Sequence, residues 1–295
     1  MVKIMLTIFT DSDTDITLKE ANEFGIKLIS MPYIIDDVEV KPYVDFLEFD
    51  YQTFYNTLRG GVLPKTCAIN TEVYREYFEP ELKNGNDILY IHFSRAMSGS
   101  FNAMDLTISE LKEEYPDRTI YTIDTQGITI LSNIIVKDIM DLFKQGKSLE
   151  EVIEWSKENV SKYATYFFAD TLKFFAKSGR VSNFAGFMGN LIGIKPIIYM
   201  DESGKMTNIA KVKGKRNAIN MLVDYFDKLA VEIKEHRIII GHSDSLENAK
   251  ALGQLLVDKY GDDLKIEYVV VNPTAGSHCG PDTVGIAFYA RSKSL

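Results

Sequence analysis

Residues 87–104, DILYIHFSRAMSGSFNAM, contain the transition that decides the fold of this 295-residue chain. The apolar run at residues 88–93 predicts a buried strand, because short continuous apolar segments are typical of parallel sheets. After a turn rich in serine and glycine at residues 94–100, large apolar side chains recur at helical spacing from Phe101 to Leu111. The stretch therefore predicts a strand that ends in a tight turn and leads directly into a helix.

Hydroxyl groups and a glycine crowd the turn between this strand and this helix. Ser98 could cap the helix, since a serine oxygen accepts a hydrogen bond from a free N–H group of the first turn. The same N–H groups and the positive end of the helix dipole could instead bind an anion beside Ser98, Gly99 and Ser100. The turn taken alone leaves both interpretations open.

Length, charge and hydropathy predict a folded two-domain protein. A chain of 295 residues exceeds one ordinary core and suits two α/β domains. The formal net charge of −9 argues against a general nucleic-acid-binding protein, whose binding surface would be basic. The sequence contains no uninterrupted apolar window long enough to span a bilayer, so we expect no integral membrane segment.

The first residues and the cysteines predict a cytoplasmic protein. The opening MVKIMLTIFTDSD carries one lysine and turns acidic where a signal peptide would be cleaved, so we expect a first strand there. Cys67 and Cys279 are too few for a disulfide framework or a four-cysteine zinc site. We expect neither a metal nor another cofactor.

Strands and helices alternate through the first half of the sequence. The predicted strands are Ile4–Thr10, Ile26–Ile35, Glu39–Tyr43, Ile88–Phe93 and Ile120–Asp124. The predicted helices are Leu18–Phe24, Tyr51–Leu58 and Glu72–Leu82, with one more after each of the last two strands. This alternation is typical of βαβ units, so we expect a mostly parallel sheet within a three-layer α/β/α domain.

A new helix start marks the predicted domain junction. Gly146 precedes the capping-box pattern SLEE at residues 148–151, so we assign residues 1–147 to an N-terminal domain and residues 148–295 to a C-terminal domain. In the second, Ile194–Met200 and Met206–Val212 predict a hairpin. The other strands and helices are expected at Tyr166–Ala169, Asn217–Ile233, Ile238–Gly241, Leu246–Tyr260, Ile266–Val271 and Thr283–Tyr289. This order predicts a mixed α/β sheet with helices on one face.

An acidic cluster after the first strand suggests a catalytic alternative. Asp11 and Asp13 form a D-x-D pair, the arrangement in which haloacid-dehalogenase phosphatases place a nucleophile and an acid/base around magnesium. Asp15 stands where that motif usually has Thr or Val, and the cluster could equally cap the first helix. Ser98, His278 and an aspartate could form a hydrolase triad, although no G-x-S-x-G motif occurs.

Two later stretches suggest a ligand cavity. Residues 169–198 combine many aromatic and large apolar side chains with glycines, which allow close backbone approach or line a channel. Arg180 and Lys195 lie at the polar ends of this stretch. Near the C-terminus, glycines and a proline surround His278 in a turn before a strand, which suits a ligand group, a hydrogen-bond relay or a structural role alike.

Six sequence blocks, in order along essentially the whole chain, resemble the DegV family of bacterial fatty-acid-binding proteins. The first three are T-D-S-x-x-D at residues 10–15, a partial T-S-x-P at Thr66 with Cys67 in place of Ser, and L-S-G-T-Y at residues 97–101. The last three are L-x-G-G-R-I-S at residues 176–182, I-K-P at residues 194–196, and H-x-G-P-G-x-x-G at residues 278–285, where Asp282 replaces a Gly. Each block alone is weak, but six in the same order are specific.

The resemblance implies a two-domain α/β protein that binds one long-chain fatty acid in a tunnel between its domains. The residues expected to bind the carboxylate are Thr66, Ser98, Gly99 and His278. Those expected to support them are Asp11, Ser12, Arg180 and Ser182. We expect the acyl chain to be lined by Phe174, Phe184, Phe187, Met188, Leu191 and Ile194. A carboxylate in an apolar tunnel needs several charge-assisted hydrogen bonds, which agrees with this assignment.

The resemblance also implies a partner. Such proteins are similar to the lipid-binding subunit of bacterial fatty acid kinase, which presents the acid to a separate ATP-dependent kinase subunit for acyl-phosphate formation in phospholipid synthesis. The sequence contains neither a complete phosphate loop nor a dinucleotide fingerprint, as expected for a binding protein that is not an enzyme. The basic segment KVKGKR at residues 211–216 could face an acidic partner. The magnesium-dependent phosphatase remains the alternative.

Overall fold

The computed structural model describes residues 5–182 and 193–295. Its strands, in chain order, are β1 (Leu6–Asp11), β2 (Lys27–Ile29), β3 (Tyr33–Ile35), β4 (Val38–Val40), β5 (Lys65–Thr66), β6 (Asp87–His92), β7 (Ile120–Asp124), β8 (Tyr163–Phe168), β9 (Val181–Ser182), β10 (Ile194–Met200), β11 (Met206–Lys213), β12 (Arg237–His242), β13 (Lys265–Val270) and β14 (Val284–Tyr289). Its α-helices are α1 (Leu18–Phe24), α2 (Tyr51–Arg59), α3 (Thr71–Lys83), α4 (Ser100–Glu114), α5 (Ile130–Lys144), α6 (Leu149–Asn159), α7 (Lys173–Ser178), α8 (Lys215–Leu229), α9 (Leu246–Tyr260) and α10 (Pro273–Cys279).

The first half of the chain contains a four-stranded parallel sheet with the strand order β2-β1-β6-β7. The decisive apolar run lies in β6, which pairs with β1 on one side and β7 on the other, and its residues Ile88–Ile91 are fully buried. A short 3-10 turn then leads into α4, which confirms the predicted strand, turn and helix. Parallel pairing confirms the expected α/β class of this half.

The second sheet has seven described strands in the order β13-β12-β14-β8-β10-β11-β9. It is mixed: β12 and β13 are parallel, whereas β14, β8, β10 and β11 form successive antiparallel pairs. The predicted hairpin is confirmed by the pairing of Ile194 with Lys213 and of Met200 with Met206. Helix α8 ends at Leu229, four residues before the expected end, and Ala230 leaves the helix with extended backbone.

Helices cover both faces of this second sheet, so the expectation of helices on one face is wrong. Ile238 and Ile240 of β12 pack in one apolar cluster with α8 and α9, whereas Ile239 between them packs in the cluster that contains α5. Successive side chains of a strand point to opposite faces, which explains the alternation. A Cβ atom at Gly241 would overlap Ile130, so this glycine lets α5 approach the sheet closely.

Helix α5 also bears on how the chain is divided. It lies before residue 147, in the first half of the sequence, yet it packs against β8, β12 and β14 of the second sheet. Helix α6 begins after Ser148, whose hydroxyl and Glu151 form the predicted capping box. The boundary between residues 147 and 148 stays a prediction.

A small antiparallel sheet, β4-β3-β5, connects the two halves. Tyr33, Phe54, Tyr55 and Leu58 form its apolar cluster together with Phe174 from the second half. The Tyr55 hydroxyl donates a 2.9 Å hydrogen bond to the carbonyl of Val271. The small sheet thus places Thr66, at the end of β5, against the second half of the chain. Within the described part of the chain, no helix combines the length and apolar character that crossing a membrane requires.

Candidate ligand-binding site

A pocket lies between the parallel sheet and the mixed sheet, and its walls come from both halves of the chain. The space between its walls amounts to about 1020 Å³, a figure that includes open solvent. Its apolar lining includes Met31, Phe93, Met97, Ile128, Ile130, Phe167, Phe175, Met200, Met206 and Val271. Its polar lining includes Asp13, Thr66, Ser98, Gly99, Thr129, Arg180 and His278. A ligand with a long apolar body and a few polar atoms matches this wall.

Thr66 and His278 meet in the wall of the pocket, although 212 residues separate them in the sequence. The Thr66 Oγ1 and His278 Nε2 atoms are 3.0 Å apart, a hydrogen bond whose direction depends on the imidazole tautomer. His278 lies in α10, which Asn272 caps through Ala275 and which Pro273 begins. Its Nδ1 atom is buried without a hydrogen-bond partner among the described residues. One imidazole nitrogen therefore remains unpaired in this arrangement.

Burial makes the His278 imidazole neutral. It lowers the pKa of His278 from 6.5 to about 4, and the nearby Arg180 guanidinium acts in the same direction. A neutral imidazole has one N–H donor and one acceptor nitrogen, so it can relay a hydrogen bond between Thr66 and a ligand.

Ser98 makes the hydrogen bonds of a helix-start residue and also lines the pocket. Its oxygen accepts a 3.2 Å hydrogen bond from the Ser100 backbone N–H, and its hydroxyl donates to Ser100 Oγ at 2.9 Å. Ser100 Oγ in turn accepts from the backbone of Ile69 at 3.1 Å. The expected anion hole therefore needs one correction, because the N–H of Ser100 is already bonded to Ser98. Gly99 begins α4 without a side-chain cap and lines the pocket.

Arg180 and Ser182 lie beside the mouth of the pocket. Arg180 is exposed, follows Gly179 in left-handed backbone (φ +66°), and donates to the carbonyl of Ser178 at 2.7 Å. Ser182 donates to the carbonyl of Met206 at 3.0 Å, which holds β9 against β11. Of the two, Arg180 is the residue that can reach an anionic ligand, and Ser182 has a structural contact.

Asp11 and Ser12 are structural in this arrangement. The carboxylate of Asp11 is fully buried and accepts hydrogen bonds from Tyr90 Oη, the Phe93 backbone and the Asp13 backbone at 3.0–3.1 Å. Burial outweighs these bonds and raises the pKa of Asp11 to about 7. Ser12 Oγ accepts from the Met31 backbone at 2.9 Å. A phosphatase nucleophile must be accessible, so the fully enclosed Asp11 does not suit that alternative.

Neither of the two described residues that were expected to line the acyl chain contributes to the wall of the described pocket. Phe184, Phe187, Met188 and Leu191 lie outside the described residues. Phe174 packs against Gly280 and the aromatic cluster of the small sheet, and it is the next residue, Phe175, that lines the pocket. Ile194 lies in β10 and is not part of the lining.

Sequence reasoning missed most of the apolar lining. Phe93, Phe167 and Val271 lie at or beside the ends of strands, Ile128 lies in the loop before α5, and Ile130 begins α5. They look like ordinary core residues in the sequence. For Phe93 and Val271 the available signal was their position at the carboxyl end of a predicted strand, where α/β folds place ligands.

Comparisons with known proteins identify the family of the chain. The family model described as an uncharacterised protein family, DegV, matches residues 5–291. The chain belongs to the DegV family. A DegV domain-containing protein of Clostridium perfringens is 34% identical over 289 residues, which cover 97% of this chain and 98% of that protein.

Solved structures share the fold. A DegV family protein from Thermus thermophilus, described by its fatty acid binding, has a TM-score of 0.84 at 21% identity and covers 97% of this chain and 100% of its own. The fatty acid kinase (Fak) B3 protein of Streptococcus pneumoniae, loaded with linoleic acid, has a TM-score of 0.80 at 18% identity and covers 97% and 99%. The family resemblance and the two-sheet α/β fold are confirmed.

The depressed pKa of His278 predicts a pH-dependent stability. The unfolded chain binds a proton to this imidazole below pH 6.5, whereas the folded chain binds it only below about pH 4. The contribution of His278 to the unfolding free energy therefore falls as the pH drops from 6.5 to about 4. A shift of this size corresponds to about 3 kcal/mol. We expect the unfolding free energy of the native protein, relative to His278→Gln, to fall by up to this amount between pH 7 and pH 4 in urea titrations.

The comparison with His278→Gln isolates the imidazole. Asp11 and Asp15, whose pKa values burial raises to about 7, titrate in the same range with the opposite sign. Both are present in the native protein and in the variant, so their contributions cancel in the difference. Parallel pH profiles for the two proteins would contradict a neutral buried imidazole.

Proposed function

We propose that this protein binds one long-chain fatty acid in the pocket and presents its carboxylate to a separate kinase subunit for acyl-phosphate formation. The observation that carries the proposal is the Thr66–His278 hydrogen bond in the wall of a largely apolar pocket. Relatives of the same fold that are described with bound fatty acids support the ligand class. A cytoplasmic location and the absence of a metal or other cofactor belong to the same proposal.

The polar group of the ligand would lie beside Thr66, Ser98 and His278. A carboxylate taken out of water needs compensating donors, and hydrogen bonds to a charged group are the stronger ones. The Ser98 hydroxyl can supply one donor. The Thr66–His278 pair can supply a second, from either the Thr66 hydroxyl or the imidazole N–H, because the bond between these two residues uses the other proton. Ser98 would have to turn its hydroxyl from Ser100 to the ligand, which exchanges a neutral hydrogen bond for a charge-assisted one.

The acyl chain would supply most of the affinity. Each methylene removed from water contributes roughly 0.8 kcal/mol. Phe93, Ile130, Phe167 and Val271 offer the apolar walls for this burial. Residues 184–191, expected in the same lining, remain part of the proposal.

A separate kinase would carry out the chemistry. The relative named fatty acid kinase B3 supports this role for a DegV protein. Lys213 and Arg216 are exposed where β11 ends and α8 begins, whereas Lys215 between them forms an ion pair with Asp170. Lys211 of the same segment is exposed as well, and we assign Lys213 and Arg216, beside the turn between β11 and α8, to the contact with an acidic partner surface.

The first test is the lipid content of the purified protein. We expect protein produced in bacteria to carry about one fatty acid per chain, because burying some fifteen methylenes at roughly 0.8 kcal/mol each makes release slow. Mass spectrometry of an organic extract, calibrated against protein concentration, measures this ratio. A lipid-free extract from protein that also fails to take up added fatty acid would refute the proposed ligand class.

Removal of the two hydroxyls tests the assignment of the carboxylate. We expect Thr66→Val and Ser98→Ala each to weaken fatty-acid binding by roughly 1.5–3 kcal/mol, about ten- to a hundredfold, because each deletes one donor to a buried charge. The double variant should lose less than the sum, since both donors serve one carboxylate. Binding is measured by competition with a fluorescent fatty acid.

A matched control separates binding from stability. Thr107→Val deletes a buried hydroxyl of α4 that bonds to the Thr71 and Ala103 carbonyls, outside the pocket. It should lower the thermal midpoint and leave affinity unchanged. If Ser98→Ala behaves in the same way as this control, Ser98 is a capping residue alone.

The partner proposal has its own test. The isolated protein with ATP and bound fatty acid should give no acyl phosphate until a fatty acid kinase subunit is added. Charge reversal at Lys213 and Arg216 should slow the coupled reaction several-fold and leave lipid retention intact, while reversal at the exposed Lys19 and Lys112 changes the net charge equally and should have little effect. Turnover without the kinase subunit, or loss of lipid in the first variant, would contradict the assigned docking role.

A further inference from the structure

Three buried aspartates follow β1, and the middle one differs from its neighbours. Asp11 accepts three hydrogen bonds, and Asp15 Oδ1 accepts two from Asn272, through its backbone N–H at 2.8 Å and its side chain at 2.7 Å. Asp13 is 5% exposed, and its Oδ1 atom is buried without a hydrogen-bond partner among the described residues. Asp13, unlike Asp11 and Asp15, also lines the pocket.

The backbone polar groups of Asp13 are bonded within the protein, so only its side chain has a polar atom left to pair. Its backbone N–H donates to Asp11 Oδ1 at 3.0 Å, and its backbone carbonyl accepts from the Thr129 N–H at 2.8 Å. The second of these bonds joins Asp13 to Thr129, which precedes α5 with a positive φ of 53° and lines the pocket as well. The Thr129 hydroxyl makes no capping hydrogen bond to α5. An aspartate and a threonine of the pocket lining are therefore joined through their backbones.

Other hydroxyls of the lining are already bonded within the protein. Thr165 donates to the Ile286 carbonyl at 3.0 Å, Thr274 to the Met31 carbonyl at 2.6 Å and Thr283 to the Cys279 carbonyl at 3.3 Å. The hydroxyl protons of these threonines are therefore already used in hydrogen bonds within the protein. Asp13 and Thr129 stand apart from them because their side-chain polar atoms remain to be paired.

We propose that Asp13 and Thr129 form a second polar subsite that binds a hydroxyl group on the acyl chain, so that the preferred ligand is a hydroxylated long-chain fatty acid. This inference rests on the proposed function and narrows its substrate class. A plain saturated chain would cover the Asp13 carboxyl with methylenes and leave it unpaired, at a cost in free energy. A hydroxyl can both donate to and accept from the pair.

The protonation of Asp13 fits a hydroxyl partner. Burial, followed by the charges of Asp11 and Asp15, raises the pKa of Asp13 well above its ordinary value of 3.8. A protonated carboxyl has one O–H donor and an acceptor oxygen, which matches an alcohol in both directions. A neutral Asp13 also avoids placing a second negative charge in a pocket that would already hold the fatty-acid carboxylate.

The test compares stearic acid with its monohydroxy positional isomers on protein stripped of lipid. We expect at least one isomer to bind about tenfold more tightly than stearic acid, since it pairs a buried group that stearic acid leaves unpaired. Asp13→Ala should abolish this preference, and Thr129→Val should reduce it. Thr165→Val, which deletes a pocket hydroxyl already bonded to Ile286, should leave the preference intact.

The outcomes separate this inference from the function on which it rests. Stearic acid binding as tightly as every hydroxylated isomer, or a preference that persists in both Asp13→Ala and Thr129→Val, overturns the subsite and leaves fatty-acid binding in place. Failure of all the acids to bind overturns the proposed function itself. Thermal midpoints identify a variant that does not fold, and the remaining variant of the pair then decides.

Discussion

The hydrogen bond between Thr66 and His278 depends on the correct folding of both halves of the chain. Thr66 ends a strand of the small sheet, while His278 lies in a seven-residue helix of the second half. Tyr55 holds the small sheet to the second half through Val271, and Gly276 leaves room for the Tyr55 ring. The polar part of the pocket is thus a product of tertiary packing, and no single segment contains it.

Local signals predicted the elements well because those signals act over a few residues. The buried run at residues 88–91, the capping box at Ser148 and the hairpin at residues 194–213 each depend on near neighbours in sequence. The position of α5 does not. Its burial against the second sheet depends on Gly241 and Gly285, more than a hundred residues away, which supply the space for Ile130. A period of 3.6 residues identifies the helix but not the surface that it covers.

The same difference between local signals and long-range packing explains which features of the site could be predicted from the sequence. The family blocks predicted Thr66, Ser98, Gly99, Arg180 and His278, and these five residues all line the pocket. The pairing of the Ser100 N–H with Ser98, and the enclosure of Asp11 by Tyr90 and Phe93, required coordinates. Asp11 and Asp13 look equivalent in a D-x-D motif. Only the fold distinguishes Asp11, whose carboxylate accepts three hydrogen bonds, from Asp13, a pocket-lining residue whose Oδ1 is unpaired.

The charges around the pocket indicate how a fatty acid would be oriented. Among the described lining residues, Arg180 is the one fixed cation, because burial keeps the His278 imidazole neutral. Arg180 is exposed and also lines an adjoining cavity with Ser98 and Gly99, so this fixed positive charge lies where the two cavities meet. A carboxylate is favoured there and disfavoured beside Asp13, which would repel it if ionised. Under the proposed function, the acyl chain would then point away from Arg180, between Ile130, Phe167 and Gly241, and the carboxylate oxygens would face the exposed side at which a kinase subunit would act.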